Sequence, residues 1–397
     1  MARLLILRFL IALAISVAPG SCQLYANDVA VLKAVRSWLS DVSGSKEVFF
    51  ASWDFDDDPC SFDGVLCDII DGEERVVALN LGVASGSSLG LKGQLHPAVG
   101  SLTELVQLSL APGKVTGPIP GTISELVNLQ NLGLSHNLLA GVIPTGLSAL
   151  KQLTTLDLSF NRISGSVPAE LAALPSLFML NLGHNRLSGT LPPFASAGAL
   201  EHLDMNRNSL SGSLPSLPPS LSYLNLANNQ LSGGIDSLAW LAKITYVDLS
   251  HNRLSGGIPS LLFAAPLSSL FLQRNLLFGP VSPPQLVTLT TLDLSFNQLS
   301  GSISPFFAFV QNLYLNNNHF AGPVPREFID RLLSSAIQTL FLQHNFLTDF
   351  PLNPKQALPL TASLCIQYNC MMMPVESPCP LNAGTERIRP PSQCHHP

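Results

Sequence analysis

The sequence contains little charge and much glycine and proline. Only 12% of its 397 residues are charged, about half the usual share, whereas 46% are hydrophobic. This shortage argues against long helices with charged, solvent-exposed faces. The chain has 28 Gly and 31 Pro, which favour turns. The composition therefore predicts many short elements joined by many turns.

Cysteine is missing from the whole middle of the chain. One pair, Cys60 and Cys67, precedes this gap, and a second group follows it, consisting of Cys365, Cys370, Cys379 and Cys394. Neither group has the paired CxxC spacing of a zinc site, so we expect no metal. We predict a Cys60–Cys67 disulfide near one end. The second group should form two disulfides near the other end, with three possible connectivities.

Long apolar runs are absent after residue 22. Arg3 and Arg8 precede an apolar run from Phe9 to Ala18, and this order is typical of a secretory signal, which we place at residues 1–22. No later segment reaches the length of a membrane span. We therefore expect a secreted, extracellular protein with no direct membrane insertion, a location that also permits disulfides.

Positive charge is also scarce. Removing Arg3 and Arg8 with the signal lowers the formal net charge from −6 to −8. A nucleic-acid partner is not expected, because such proteins need a concentrated basic face. The sequence also contains no N-x-S/T acceptor, no P-loop and no kinase signature.

What the chain does contain is a repeat. The pattern L-x-L-x-x-N recurs eleven times at intervals of 21 to 27 residues. Two earlier units, VVALNLGVA and LVQLSLAPG, keep the apolar positions without the Asn, so about 13 units run from Val76 to Asn369. Self-similarity at this period indicates a solenoid. The repeated asparagines are at positions 137, 161, 185, 208, 229, 252, 275, 297, 318, 345 and 369.

The repeat pattern predicts its own structure. Each L-x-L segment should be a short strand with its leucines pointing inward, and successive strands should stack into one parallel sheet. The Asn amide should pair backbone groups that the following turn would otherwise bury without partners. The G-x-I-P segment should start the return path. A single repeat would expose its leucines, so stability must come from stacking.

Both ends of the solenoid show capping motifs. Near the N-terminus, Trp53 is followed by D-P-C and G-V-L-C at residues 58–60 and 64–67, after an amphipathic helix that we expect Asn27 to cap. These motifs resemble the N-terminal cap of plant leucine-rich-repeat proteins, although Phe62 stands where that family often has Trp. The chain is similar to secreted members of this family, related to receptor-like proteins, receptor-kinase ectodomains and polygalacturonase inhibitors.

This resemblance implies a fold and a division of the chain. The fold would be an α/β solenoid, a right-handed curved leucine-rich-repeat superhelix with a parallel concave β-sheet and disulfide-stabilised caps. The expected segments are a signal peptide at 1–22, an N-terminal cap at 23–75, repeats at 76–369 and a Cys-rich C-terminal cap at 370–397.

A ligand patch is predicted in the C-terminal third of the concave face. The residue inside L-x-L is small and polar in the early repeats, but three of the four before Cys365 are aromatic from residue 271 onward. Aromatic residues and Arg are common anchors of interfaces. Alternatively, these rings pack against each other or shield the C-terminal cap. The predicted ligand-binding residues are Phe271, Arg274, Asp293, Tyr314, Phe341 and His344.

The resemblance implies a non-enzymatic role in extracellular recognition, in the apoplast or cell wall and without a cofactor. The expected partner is a peptide, a wall polysaccharide or a protein such as a membrane receptor kinase. Two alternatives remain: an inhibitor of cell-wall-degrading glycosidases, and a structural or adhesive wall protein. Catalysis is not expected. Ser135, His136 and Asp157 could approach one another, but Ser and His recur here because the positions before the Asn accept exposed residues.

Overall fold

The computed structural model describes residues 23–42, 48–84, 87–88, 90–353, 356–371, 379 and 388–394. The predicted signal peptide at 1–22 and much of the predicted C-terminal cap lie outside these residues. None of the helices within the described ranges combines the length and the apolar character that crossing a membrane requires.

The repeats build one long sheet. One antiparallel strand starts it, and thirteen parallel strands follow, the same number as the units predicted from the sequence. The leucines are in register from repeat to repeat, as in the pairing of Leu156 with Leu180. The strands are Val65–Ile70, Glu73–Leu81, Gln107–Leu110, Asn131–Gly133, Thr155–Asp157, Met179–Asn181, His202–Asp204, Tyr223–Asn225, Tyr246–Asp248, Ser269–Phe271, Thr291–Asp293, Asn312–Tyr314, Thr339–Phe341 and Ser363–Cys365.

The segments after the first ten repeated asparagines form a second parallel sheet of ten strands, which the sequence indicated only as the start of the return path. Glycines such as Gly165, at φ +82°, and Gly256, at φ +87°, end these strands in a left-handed conformation that favours glycine. The strands are Ala140–Gly141, Arg162–Gly165, Arg186–Thr190, Ser209–Gly212, Gln230–Gly233, Arg253–Gly256, Leu276–Pro280, Gln298–Gly301, His319–Pro323 and Phe346–Asp349. Smaller sheets contain Leu39–Asp41, Leu91–Gln94 and Lys114–Thr116, and Val83–Ala84 with Ser87–Ser88.

Most helices in the described ranges are short 3₁₀ helices, and five of them follow a strand of the second sheet. The α-helices are α1, Ala26–Trp38, and α2, Arg326–Leu333, the latter in the longest repeat. The prediction of Asn27 as N-cap was wrong: α1 begins at Ala26, and the Asn27 amide donates to the Ser101 carbonyl at 3.3 Å. The 3₁₀ helices are Phe49–Ser52, Pro59–Ser61, Pro97–Ser101, Gly121–Glu125, Thr145–Ala149, Ala169–Ala173, Asp236–Trp240, Ser260–Ala264, Pro305–Phe309 and Pro391–Gln393.

The repeated asparagines form a ladder of buried amides through the core. In Asn161, Oδ1 accepts from the Leu139 N–H of the preceding repeat at 2.9 Å, while Nδ2 donates to the Leu134 carbonyl of that repeat and the Leu158 carbonyl of its own. The same Oδ1 contact recurs at all eleven asparagines. The Asn therefore pairs backbone groups across the repeat junction, and this prediction is confirmed.

Disulfides lie at both ends of the solenoid. Cys60 is bonded to Cys67. At the other end, one of the three open connectivities is present: Cys365 with Cys379, and Cys370 with Cys394. The first of these joins the last strand of the long sheet to the segment that follows it.

Candidate functional site

One face of the long sheet does not pack on the core, and we call it the open face. Strand Thr155–Asp157 shows the pattern: Leu156 is buried on the core side, while Thr155 and Asp157 are half-buried on the opposite side. Three columns therefore share the open face. The first column is the residue before L-x-L, the second is the residue inside it, and the third is the residue after it.

The second column brings four predicted site residues together. Phe271, Asp293, Tyr314 and Phe341 lie on four consecutive strands, each paired in register with the next. All four side chains are half-buried. The rings of Tyr314 and Phe341 meet edge to face at 5.1 Å between centroids. Four of the six predicted residues are thus contiguous in this column, and the contact between Tyr314 and Phe341 is the ring packing that the sequence left open as the alternative.

Arg274 and His344 belong to a different column, the residue just before each Asn. This flank column is left-handed at all eleven repeats, with φ between +50° and +60°. The Arg274 guanidinium lies 4.3 Å from the centroid of the Phe296 ring, and the ring centroids of His344 and Tyr368 are 5.0 Å apart. Each of these two residues therefore contacts a neighbouring residue of the flank column. Most residues of this column are exposed, as expected from the sequence, but their backbone is held in a sparsely populated conformation that the sequence did not indicate.

A stack of rings lies in the first column, where the sequence was not expected to place a site. The rings of His202 and Tyr223 are 4.1 Å apart with 7° between their planes, and those of Tyr223 and Tyr246 are 4.6 Å apart with 5°. We call these three residues the ring ladder. Phe271 continues it at 5.8 Å from Tyr246. Strand alternation was the available signal, since the residue before L-x-L must share a face with the residue inside it.

Carboxylates occupy the second column beside the ring ladder, in alternate repeats. Each of them accepts at Oδ1 from the backbone N–H two residues later, at 2.9 to 3.0 Å, so the turn of its own repeat fixes it in place. Asp204 also accepts from the Asn225 amide at 3.1 Å. These residues are Asp157, Asp204, Asp248 and Asp293.

Partial burial gives this face an unusual electrostatic character. Desolvation raises the pKa of the Asp204 and Asp293 carboxyls above 3.8, although hydrogen bonds from their own turns oppose the shift. Desolvation, followed by the nearby charge of Asp248, raises the pKa of Tyr246 to about 12. Burial also lowers the pKa of His202. Near neutral pH the ring ladder is therefore uncharged and lies against desolvated carboxylates.

The raised pKa of Asp293 predicts a gain in stability for Asp293→Asn. The native carboxyl binds its proton more tightly than the unfolded one, so ionisation at neutral pH destabilises the fold. Asn keeps an oxygen that can accept from the Ser295 N–H and hydroxyl. We expect the variant to melt at a higher temperature at pH 7. The difference should disappear below pH 3.8, where both states of the wild type are protonated. Thermal melts across pH would test this, and a variant that is less stable at pH 7 would contradict it.

Three glutamines in the third column have buried amide oxygens. In the described part of the chain, the Oε1 atoms of Gln273, Gln343 and Gln367 have no hydrogen-bond partner. Gln343 is only 4% exposed. Buried polar groups are normally paired, so these oxygens need an explanation. They lie on the same face as the aromatic residues of the second column.

The Ser and His residues of the repeats are arranged as scaffold. The Ser159 hydroxyl donates to Asp157 at 2.7 Å, and the Ser295 hydroxyl donates to Asp293 at 2.6 Å. His136 and His184 stack on the two sides of Phe160, at 4.1 and 3.8 Å between centroids. A triad needs a histidine oriented on the serine, whereas here the serines close turns and the histidines stack in the flank column.

Comparison with known families places these features in context. Models described as leucine-rich repeat match residues 127–187, 199–221, 220–241, 243–264 and 288–310. A model of the leucine-rich-repeat N-terminal domain matches residues 26–68. A 65-residue stretch is 36% identical to an LRR receptor-like serine/threonine-protein kinase, GSO2, of Arabidopsis thaliana. That stretch is 16% of this chain and 4% of the kinase.

Solved structures of plant proteins share the fold. The LRR ectodomain of the receptor kinase GASSHO1/SCHENGEN3 from Arabidopsis thaliana, in complex with CASPARIAN STRIP INTEGRITY FACTOR 2, matches with a TM-score of 0.61 and 26% identity. The match covers 82% of this chain and 47% of that one. A plant ice-binding protein matches with a TM-score of 0.57 and 28% identity, covering 83% of this chain and 97% of that one.

A third structure is the plant peptide hormone receptor RGFR1 in complex with RGF2. It matches with a TM-score of 0.57 and 26% identity, covering 74% of this chain and 56% of that one. This chain thus spans about half the length of the receptor ectodomains that it matches. The matches agree with the repeat pattern, the paired asparagines and the capping disulfides. The chain is therefore a leucine-rich-repeat protein of the plant type.

Proposed function

We propose that this chain is a non-enzymatic extracellular recognition protein that binds a peptide, or an extended segment of a receptor, on its open face. The observation that supports it most is the ring ladder beside half-buried carboxylates. The solenoid itself does not need these residues, because the first column holds Thr155, Asn312 and Thr339 in other repeats. Aromatic side chains that line a polar, preformed surface are typical of binding sites.

The similar structures support the choice of ligand. Two of them are receptor ectodomains in complex with CASPARIAN STRIP INTEGRITY FACTOR 2 and with RGF2, and the second is described as a peptide hormone receptor. The ice-binding protein shares the fold at a comparable TM-score, so the fold alone does not choose the ligand. The open face supports a peptide, because its stacked rings and ordered carboxylates suit a chain that runs along the sheet.

Selection from a phage-displayed library of linear twelve-residue peptides tests the proposal. Peptides selected on the wild-type protein should bind the Tyr223→Ala/Tyr246→Ala variant at least about tenfold more weakly, because that variant loses two anchoring rings. Trp240→Ala is the matched control. Trp240 is 76% exposed on the 3₁₀ helix Asp236–Trp240, away from the open face, and its loss should leave binding unchanged. Selected peptides that bind the double variant as well as the wild type would reject the proposal.

A further inference from the structure

The middle of the open face carries acceptor atoms that the fold leaves unused. Within the described residues, the Asp248 and Asp293 side chains accept hydrogen bonds only at Oδ1. In the repeat between them, Gln273 follows strand Ser269–Phe271 and presents a buried Oε1 without a partner, and Gln343 does the same three repeats further along. Gln343 is more than nine-tenths buried, so solvent does not compensate its oxygen. A ligand that donates hydrogen bonds would satisfy these atoms.

Charge narrows the donor to a cation. Three of the carboxylates, Asp204, Asp248 and Asp293, lie at the middle of the face, and desolvation acts on two of them, Asp204 and Asp293. A neutral donor could satisfy Gln273 or Gln343 but would bring no countercharge to these half-buried carboxylates. Of these, Asp293 is already influenced by Arg274. A guanidinium or ammonium group supplies both the charge and the donors.

The aromatic rings narrow the choice of cation further. His202 and Asp204 are on one strand and Tyr246 and Asp248 on another, each pair two residues apart on the same face. A cation paired with either carboxylate would therefore lie beside a ring. A guanidinium group can pair with a carboxylate while it stacks on an aromatic face, which favours Arg.

The spacing of the carboxylates indicates the backbone conformation of the ligand. Asp204, Asp248 and Asp293 are on alternate strands of a parallel sheet, so neighbours are about 10 Å apart at about 4.8 Å per strand. A polyproline II helix repeats every three residues at about 3.1 Å per residue, which places every third side chain on one side about 9 Å apart. A β-strand repeats on one side at about 7 Å and would lose register by the third site.

Building on the function proposed above, we propose that the open face binds a basic peptide in the polyproline II conformation. The peptide presents an Arg or Lys at every third residue to Asp204, Asp248 and Asp293. The residues between these cations contact the ring ladder and Phe271, and backbone N–H groups or cationic side chains of the peptide donate to the glutamine oxygens.

Fluorescence anisotropy with synthetic peptides tests this proposal. The probe is a fluorescein-labelled peptide of three Arg-Pro-Pro units, measured at physiological salt so that non-specific attraction is screened. One control peptide has the same composition with its three arginines contiguous. A second replaces each Arg by uncharged citrulline. We expect the repeating peptide to bind at least about tenfold more tightly than either control, since each desolvated charge pair contributes to affinity.

Isosteric variants of the protein locate the binding. Asp248→Asn and Asp293→Asn should each weaken binding of the repeating peptide about tenfold, because each loses one charge partner while its shape is kept. Asp236→Asn is the matched control, because Asp236 is an exposed carboxylate on a 3₁₀ helix outside the open face. That variant should bind like the wild type.

Four results would overturn the proposal. Equal affinity for the repeating and contiguous peptides would remove the spacing argument, and unchanged affinity of Asp248→Asn would remove the carboxylates. Phage-selected peptides that depend on the ring ladder but lack basic residues would reject the basic ligand while leaving the proposed function intact. If no selected peptide depends on the ring ladder, the proposed function fails and this inference fails with it.

Discussion

Replacing Asn252 by alanine is expected to lower the free energy of unfolding by about 3 kcal/mol. Asn252 Oδ1 accepts from the Leu231 N–H at 3.0 Å, and this N–H would be buried without a partner. Its Nδ2 donates to the carbonyls of Leu226, Leu249 and Ser250 at 3.0 to 3.2 Å. Leaving the buried N–H unpaired costs about 1–3 kcal/mol. Each hydrogen bond lost at a carbonyl that keeps another donor adds at most about 1 kcal/mol. Urea unfolding followed by circular dichroism measures the change.

Each of those carbonyls does keep another donor, and this predicts coupling between neighbouring repeats. The Leu226 carbonyl accepts from Asn229 as well as Asn252. Removing both asparagines leaves this carbonyl unpaired, whereas removing either one does not. We therefore expect the Asn229→Ala/Asn252→Ala variant to lose more stability than the sum of the single variants, by about 1–3 kcal/mol.

A pair of distant asparagines is the control for this coupling. Asn161 and Asn252 share no carbonyl, so the effects of their replacements should add within about 0.5 kcal/mol. If the neighbouring pair were also additive, the shared carbonyl would not be what links the repeats. The effect of Asn252→Ala alone would then be a local one.

The repeat architecture could be predicted because each repeat obeys the same local constraint. The leucines of TLDLSFN at 155–161 and 291–297 are buried in every case, and the Asn pairs backbone groups whose positions the turn fixes. The strands, the asparagine ladder and the Cys60–Cys67 disulfide therefore followed from spacing and residue type. Because the repeats stack in the same way, a structure predicted for one repeat applies to the others.

The features that were missed depend on contacts between repeats. The left-handed flank column contains residues as different as Phe160, Arg207 and His251, so no residue type marks its conformation. The second sheet arises only when L-S-G segments of neighbouring repeats pair. The ring ladder needs His202 and Tyr223 on adjacent strands, which the sequence indicates once the first column is recognised as part of the open face.

The disulfide connectivity and the contacts of Arg274 could not be predicted from the sequence, because they also depend on how separate segments of the chain meet. Which cysteines pair depends on where the chain after Cys370 returns to the last strand, and spacing does not encode that path. Arg274 follows Phe271 closely in sequence, yet its guanidinium lies over Phe296 of the next repeat. Residue type predicted a binding surface, but the geometry of the turn decides which side chains share it.

Asp28→Ala is expected to be the other strongly destabilising substitution, at about 3–5 kcal/mol. Asp28 is fully buried in the first turn of α1, where it accepts from Arg75 Nε at 3.0 Å and Arg75 Nη2 at 3.2 Å. It also accepts from the Val76 N–H at 3.0 Å. Alanine would leave a mostly buried guanidinium without its main counter-charge and a buried N–H without a partner. Thermal unfolding of the purified protein measures the loss.

The damage should begin at the N-terminal end, because Asp28 ties α1 to strand Glu73–Leu81, the first parallel strand of the long sheet. Terminal caps cover the leucines of the end repeat, so a loosened cap exposes the core there first. Hydrogen exchange should rise in residues 76–81 before it rises near Asn252. Asp28→Asn is the control: it keeps an acceptor for the Val76 N–H but loses the charge, and its stability should fall between wild type and Asp28→Ala. Equal stability of Asp28→Ala and wild type would show that Thr103 and Glu104, which also contact Arg75, are enough to hold it.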